Sequence, residues 1–274
     1  MGKVATIILN RNLPDVTDRL CDSLNAYDGD VTDVYVVEAG SDDDKLSKHC
    51  TWHANWDQAR ENGLRYPRGM NYGLSELFKG GKYHNYDYFF LLTNDTEFSQ
   101  GSVIKPLLEV LAEHPRVGLI SPCSKRWGER LLLQETSTKY FSFIHNTSYL
   151  LRKKFIDQVI ERNNPDFMNF LYDGTNFRGY GTEFELIAKA YANDWAAAIT
   201  TKVWAEENES HLLNKHDLIK TEGYEENREL YLKEGQAWMK RKYGFNSRWS
   251  MQMYINCFYN NFFEFHPEYE QCKI

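Results

Sequence analysis

The sequence predicts an α/β fold: a mostly parallel central sheet flanked by helices, with a helical and aromatic extension at its C-terminal end. Three observations carry that expectation. Val4–Leu9, Val34–Val37 and Tyr88–Leu92 are β-branched or aromatic runs with no charge inside them, the pattern of strands buried on both faces. Between the first two, Val16, Leu20, Leu24 and Tyr27 recur at helical spacing, so strand, helix and strand follow one another and the two strands pair in parallel. Late in the chain, a highly charged amphipathic stretch from Glu222 to Tyr243 stops at Gly244, and Trp249–Tyr269 is dense in aromatics.

Length and charge narrow the classes. At 274 residues the chain accommodates one large domain, read as residues 1–220, with residues 221–274 as a helix and aromatic tail packed on it. A net charge of -7 argues against a phosphate-neutralising basic surface and so against a nucleic-acid partner. Five scattered cysteines, odd in number and without a CxxC pair, suit reduced thiols. The apolar run at the start is too short for a signal peptide, and no segment approaches the ~18 apolar residues of a membrane span. A cytoplasmic protein is expected.

Taken in order, Val4–Leu9 forms the first strand and ends in the turn Asn10-Arg11-Asn12-Leu13-Pro14. A helix over Asp15–Tyr27 leads to the second strand, which ends at Glu38-Ala39-Gly40-Ser41-Asp42-Asp43-Asp44. Glu61–Leu74, punctuated by glycines and a proline, predicts a loop leading into a helix that ends near Gly80-Gly81. After the Tyr88 strand, a helix spans Ser102–His114 and a short strand Val117–Ile120. Beyond Pro122 the alternation weakens: two short strands flank Asn146-Thr147-Ser148, and a helix runs from about Lys153 to Arg162. Thr182 followed by Glu185 has capping-box spacing, predicting a helix with Phe184, Ile187, Ala188 and Tyr191 turned inward. Ala196–Val203 is a further strand, and the aromatic tail has three open roles: packing on the sheet, lining an acceptor site or making a homodimer.

The residues with chemistry lie where strands end. In open α/β sheets ligands bind beyond the carboxyl ends of the strands, which is where Asp95 and Glu97 fall. Two hard oxygen donors could hold Mg²⁺ or Mn²⁺, an ion that prefers substrate phosphates to an all-protein cage; equally, Asn94-Asp95-Thr96 reads as a plain turn. Arg65 and Arg68 are candidate donors to a diphosphate, or solvated loop charges. Capping alone explains Glu185 but not Glu183, which is either a first-turn carboxylate favoured by the helix dipole or a general base for an acceptor hydroxyl. The glycine-rich approach through Gly179 and Gly181 would let a ligand come close there. His211 follows the polar loop Glu206–Ser210.

In combination these pieces resemble the family 2 glycosyltransferases of the GT-A fold, especially their rhamnosyltransferase-like branch, over roughly residues 4–211. Val36–Asp43 resembles the family's VVDNGSxD, with Glu38 in place of an aspartate that contacts the nucleobase. Glu61–Leu74 resembles ENxGFAGGNNxGL with one residue inserted, Leu91–Phe98 resembles LLNNDTEV, the metal-binding DxD element, and Gly181–Leu186 resembles YEDVDL. The resemblance implies that Asp95, with Glu97, holds a divalent cation, because Thr93 replaces the first position of that element. It implies that Glu183, an aspartate in the family, is the catalytic base, and that Asn10, Arg11, Glu38, Asp43 and Asn94 line the nucleotide site with Arg65 and Arg68. Ala205 falls near the slot of the family's histidine, leaving His211 as a displaced metal candidate.

The resulting expectation is an inverting glycosyltransferase that uses a nucleotide-diphosphate sugar as donor and a glycan or lipid-linked saccharide as acceptor. A sugar-nucleotidyltransferase would need a glycine-rich, lysine-containing phosphate loop after the first strand, which Asn10–Pro14 is not. A non-catalytic sugar- or nucleotide-binding module is kept open by Thr93 and Ala205. The Asn-x-Ser/Thr triplets at Asn94, Asn146 and Asn208 read as chance, the first lying inside the expected metal loop.

Overall fold

The computed structural model describes residues 2–133, 137–144, 148–161, 163–208, 210 and 221–274. The charge-free runs become the strands of one sheet: β1 (Val4–Asn10), β2 (Thr32–Glu38), β3 (Cys50–His53), β4 (Tyr88–Thr93), β5 (Thr96–Phe98), β6 (Val117–Cys123), β7 (Thr138–Tyr140), β8 (Ser148–Arg152) and β9 (Ala196–Glu207). Their order is β3-β2-β1-β4-β8-β6-β9-β5, with β7 paired to β9. Parallel pairing links β3, β2, β1 and β4, and links β6 to β9; β8 lies antiparallel between β4 and β6. Because β8 reverses direction between them, β6 and β9 run the same way as β1–β4. β5 and β7 run against β9. Phe89, Phe90, Leu91 and Leu92 on β4 have no exposed surface, as a strand with neighbours on both faces requires.

Helices cover the sheet: α1 (Pro14–Asp28), α2 (Asp57–Asn62), α3 (Arg65–Lys79), α4 (Ile104–Glu113), α5 (Lys153–Val159) and α6 (Thr182–Ala192). The expected loop over Glu61–Leu74, leading into a helix, is corrected: most of it is already helical. α2 ends at Gly63, whose φ of 72° stops it, and α3 begins two residues later, so Arg65, Arg68 and Met70 are helical. Pro67 is tolerated there because the first turn of a helix has no partner for its N–H groups. The strands β3 and β5 carry no alternation long enough to be read from sequence.

The C-terminal extension adds α7 (Tyr224–Tyr243) and α8 (Arg248–Phe265). It builds no core of its own: Trp238, Met239, Met251, Ile255, Tyr259, Phe262 and Phe263 join the same buried cluster as the sheet residues. α8 keeps an outer face, where Trp249, Met253, Tyr254 and Phe265 are exposed. Gly235 in α7 lies against Tyr180, where a methyl group would come within 2.5 Å of the Tyr180 side chain.

One buried amide fixes the loop between α5 and α6. Asn71, fully buried on α3, accepts from the Leu171 and Tyr172 amides at 2.9 Å and donates to the Tyr172 carbonyl at 2.7 Å and the Phe167 carbonyl at 3.3 Å. Asn71→Ala strands those backbone groups inside the protein, so it is expected to lower stability by about 2–4 kcal/mol. A urea unfolding midpoint shifted at unchanged slope is the measurement.

Candidate active site

The carboxyl ends of β1, β2 and β4 are in register: Asn10 lies beside Glu38, and Leu9 beside Thr93. Three side chains tie these ends together. Asn10 donates through Nδ2 to Glu38 Oε2 at 2.8 Å, and Asn94 donates through Nδ2 to Asn10 Oδ1 at 2.7 Å. Glu38 Oε2 also accepts from Ser41 Oγ at 2.6 Å, and Oε1 from the Ser47 amide at 2.8 Å. Glu38 and Asn10 have no exposed surface, and Asn94 has little.

Glu38, Asn10 and Asn94 are thus bonded to one another, and Glu38, with both oxygens bonded within the protein, organises the rim from inside. The Asn94 amide nitrogen, the atom that a glycan would need, is held by Asn10 and by Thr17 Oγ1 at 3.2 Å. Nearer to solvent, Asp43 is largely exposed and pairs with Arg60 at 2.9 Å. Arg11 donates to the carbonyls of Arg60 and Glu61 at the end of α2 and lies against Gly63, where a side chain would collide with its guanidinium. Burial, then the charge of Arg65, lowers the Arg11 pKa to about 10.

Arg65 and Arg68 are held within the protein. Arg65 donates through Nη2 to Glu222 Oε1 at 3.0 Å, and Arg68 through Nε to the Gly174 carbonyl at 2.8 Å. Arg65 also adopts φ 56°, unusual for a residue with a side chain.

Asp95 sits in the turn that joins β4 to β5, and β5 leaves β4 to pair with the end of β9. Thr96 lies opposite Glu207 and Glu97 opposite Glu206; the Asp95 carbonyl accepts from the Asn208 amide at 2.9 Å. Asn208 Nδ2 donates to Glu97 Oε1 at 2.6 Å, and Glu97 lies on the exposed side of the strand pair. His211 lies outside the described residues, as does Asn146. Among the described residues no group of three or more His, Cys, Asp or Glu side chains forms a metal cluster.

Glu183 occupies the first turn of α6 and is half-buried. The expected capping box does not form. Gly181, at φ 82°, is the N-cap; Thr182 Oγ1 donates to the Gly179 carbonyl at 2.7 Å, and the Glu185 carboxylate accepts from Lys242 Nζ at 2.6 Å and from the Tyr243 hydroxyl. α7 has drawn Glu185 away from the local bond. The close approach at Gly179 is likewise internal: at φ 87°, it packs on Pro67, 2.9 Å from where a Cβ would stand.

The charge of Glu183 reaches a set of tyrosines. Burial raises the pKa values of Tyr149, Tyr172, Tyr180 and Tyr231, and the negative charge of Glu183 pushes each further up. Glu207, beside the Asp95 turn, adds its charge to Tyr149 and Tyr231. The charges of Glu183 and Glu207 thus act on two shared tyrosines, one of them from the C-terminal extension. That coupling was not legible in the sequence: Tyr149 sits in a short apolar strand, Tyr231 in a charged helix.

Solved structures share this architecture. The mannosyltransferase PcManGT from Pyrobaculum calidifontis, in complex with GDP-Man and Mn²⁺, matches with a TM-score of 0.55 at 12% identity, covering 88% of this chain and 65% of that one. The fold is GT-A. GalNAc-T7, solved with UDP, GalNAc and Mn²⁺, matches with a TM-score of 0.54 at 10% identity over 76% of this chain and 44% of its own. The chain thus spans less than two thirds of the length of either structure. No protein-family model and no curated protein matches it, and among the described residues no helix is long and apolar enough to cross a membrane.

Glu38→Ala tests the rim. Removing a buried carboxylate that holds Asn10, Ser41 and Ser47 is expected to cost about 2–4 kcal/mol of folding stability, an effect that a solvent-facing ligand contact would not produce. Chemical denaturation without any nucleotide is the measurement.

Proposed function

We propose that the protein is an inverting glycosyltransferase that moves a sugar from a nucleotide-diphosphate sugar to an acceptor hydroxyl. The observation that carries this reading is electrostatic: on a GT-A fold, the charge of Glu183 at the start of α6 and that of Glu207, paired with Thr96 beside Asp95, act on the same two tyrosines, Tyr149 and Tyr231. The two solved structures with this fold that contain Mn²⁺ together with a nucleotide or nucleotide sugar support it.

In the proposed reaction the acceptor oxygen attacks the anomeric carbon while its proton passes to the Glu183 carboxylate. The bond from that carbon to the diphosphate breaks, and the nucleoside diphosphate leaves on the opposite face, giving inversion. Glutamate in place of aspartate moves the base one methylene outward from α6. Asp95 and Glu97 offer hard carboxylate oxygens, a donor set that fits Mg²⁺ or Mn²⁺ when substrate phosphates complete the shell. Such an ion supplies positive charge opposite the departing diphosphate. Arg11 and Asp43 lie at the rim of the nucleotide side, over the network made by Asn10, Glu38 and Asn94. The acceptor is expected to be a glycan or lipid-linked saccharide and the compartment the cytoplasm, in keeping with five unpaired cysteines.

A screen of nucleotide sugars for thermal stabilisation, run with Mn²⁺ and with EDTA, identifies the donor without knowledge of the acceptor. With that donor, Glu183→Gln is expected to lower transfer by about 10²–10⁴-fold while leaving donor stabilisation in place. Asp95→Ala is expected to remove the metal-dependent part of that stabilisation. Full transfer activity in both variants would overturn the proposal.

A further inference from the structure

Phe177 gathers three guanidinium groups around one ring: Arg68, Arg178 and Arg65 lie 4.6, 5.5 and 5.6 Å from its centroid. Arg11 lies close by, its guanidinium against Gly63, two residues before Arg65. Burial and then the charge of Arg178 lower the Arg65 pKa, just as burial and Arg65 lower that of Arg11. Cations crowded in this way need an interleaved anion.

The chain provides Glu222. Its side chain is 5% exposed, and its Oε1 accepts from Arg65 Nη2 at 3.0 Å and from Arg178 Nη2 at 2.6 Å. Glu234 pairs with the other terminal nitrogen of Arg178. These carboxylates leave part of the donor set unused: the Nε atoms of Arg11 and Arg65 are buried and have no hydrogen-bond partner among the described residues. A guanidinium presents five donors in a planar fork that matches phosphate as well as carboxylate. A diphosphate, with more oxygens and more charge than one carboxylate, would engage donors that Glu222 leaves idle. The cluster also lies on the ligand side of the sheet, since Arg11 directly follows β1 and Arg65 opens α3.

We propose that Arg11, Arg65 and Arg178 form a diphosphate-binding site whose resting occupant is the Glu222 carboxylate, displaced when a diphosphate-bearing ligand enters. This rests on the donor reading above and adds an internal competitor to it. Glu222 lies two residues before α7, so occupancy of the site is linked to the start of the helix that carries Tyr231. After displacement Arg178 retains Glu234, whereas Arg65 is left to the incoming anion.

A fixed structural counter-ion and a competitor give opposite signs. If Glu222 only holds the arginines in place, its removal weakens anion binding; if it occupies their ligand position, its removal tightens binding. Calorimetry of inorganic pyrophosphate in EDTA, on the full chain, reads the sign without metal or sugar. Glu222→Gln is expected to bind pyrophosphate about tenfold more tightly than the wild type, the factor for a site nine-tenths self-occupied. Glu222→Asp keeps the charge but shortens its reach, and is expected to tighten binding by a smaller factor; it decides the matter if the Gln variant does not fold. Arg178→Gln is expected to weaken binding. Unchanged or weaker pyrophosphate binding in the folded Glu222 variants overturns the inference, even if GDP-mannose or a UDP-sugar is bound and turned over. Tightened pyrophosphate binding without binding of any nucleotide sugar upholds the anion site and overturns the donor reading instead.

Discussion

The rim of the site depends on a carboxylate with no exposed surface. Three parallel strands end side by side, and their last residues would carry polar groups into the interior with nothing to bond. Glu38 resolves this by accepting from Asn10, Ser41 and the Ser47 amide, while Asn10 accepts from Asn94. The ends of β1, β2 and β4 are thereby held in one plane before any substrate arrives. Preorganisation of this kind matters for a reaction in which the enzyme contributes mainly position and charge.

From that rim the two candidate reactive carboxylates are set by different parts of the chain. Asp95 is placed by β5, which leaves its neighbour β4 and pairs with the far end of β9. Glu183 is placed by two left-handed glycines and by the contact of Gly179 with Pro67, which couples the start of α6 to the first turn of α3. Long-range pairing sets one of them and local backbone conformation the other.

Much of this was legible in the sequence, for physical reasons. A strand buried on both faces must be apolar throughout, so Tyr88–Leu92 announced both itself and the polar turn at its end. Helical periodicity similarly revealed α1, α4 and α6. What stayed hidden was settled by partners distant in sequence. A strand-end acid looks the same whether it faces solvent or the interior, so the burial of Glu38 could not be read. Thr182 and Glu185 have capping-box spacing, yet Lys242 and Tyr243 compete for the carboxylate from α7 and win. Arg65 read as a diphosphate donor or a solvated loop charge, and nothing near it in sequence foretold its pairing with Glu222. Short strands such as β3 and β5 exist only through their neighbours.

Gly235 gives the C-terminal extension a mechanical meaning. Because α7 has no side chain at that point, its backbone rests directly on Tyr180, the residue before the N-cap of α6, with no flexible group between them to absorb a shift. A contact this close leaves no slack, so any shift of α7 would be passed to Tyr180, three residues before Glu183.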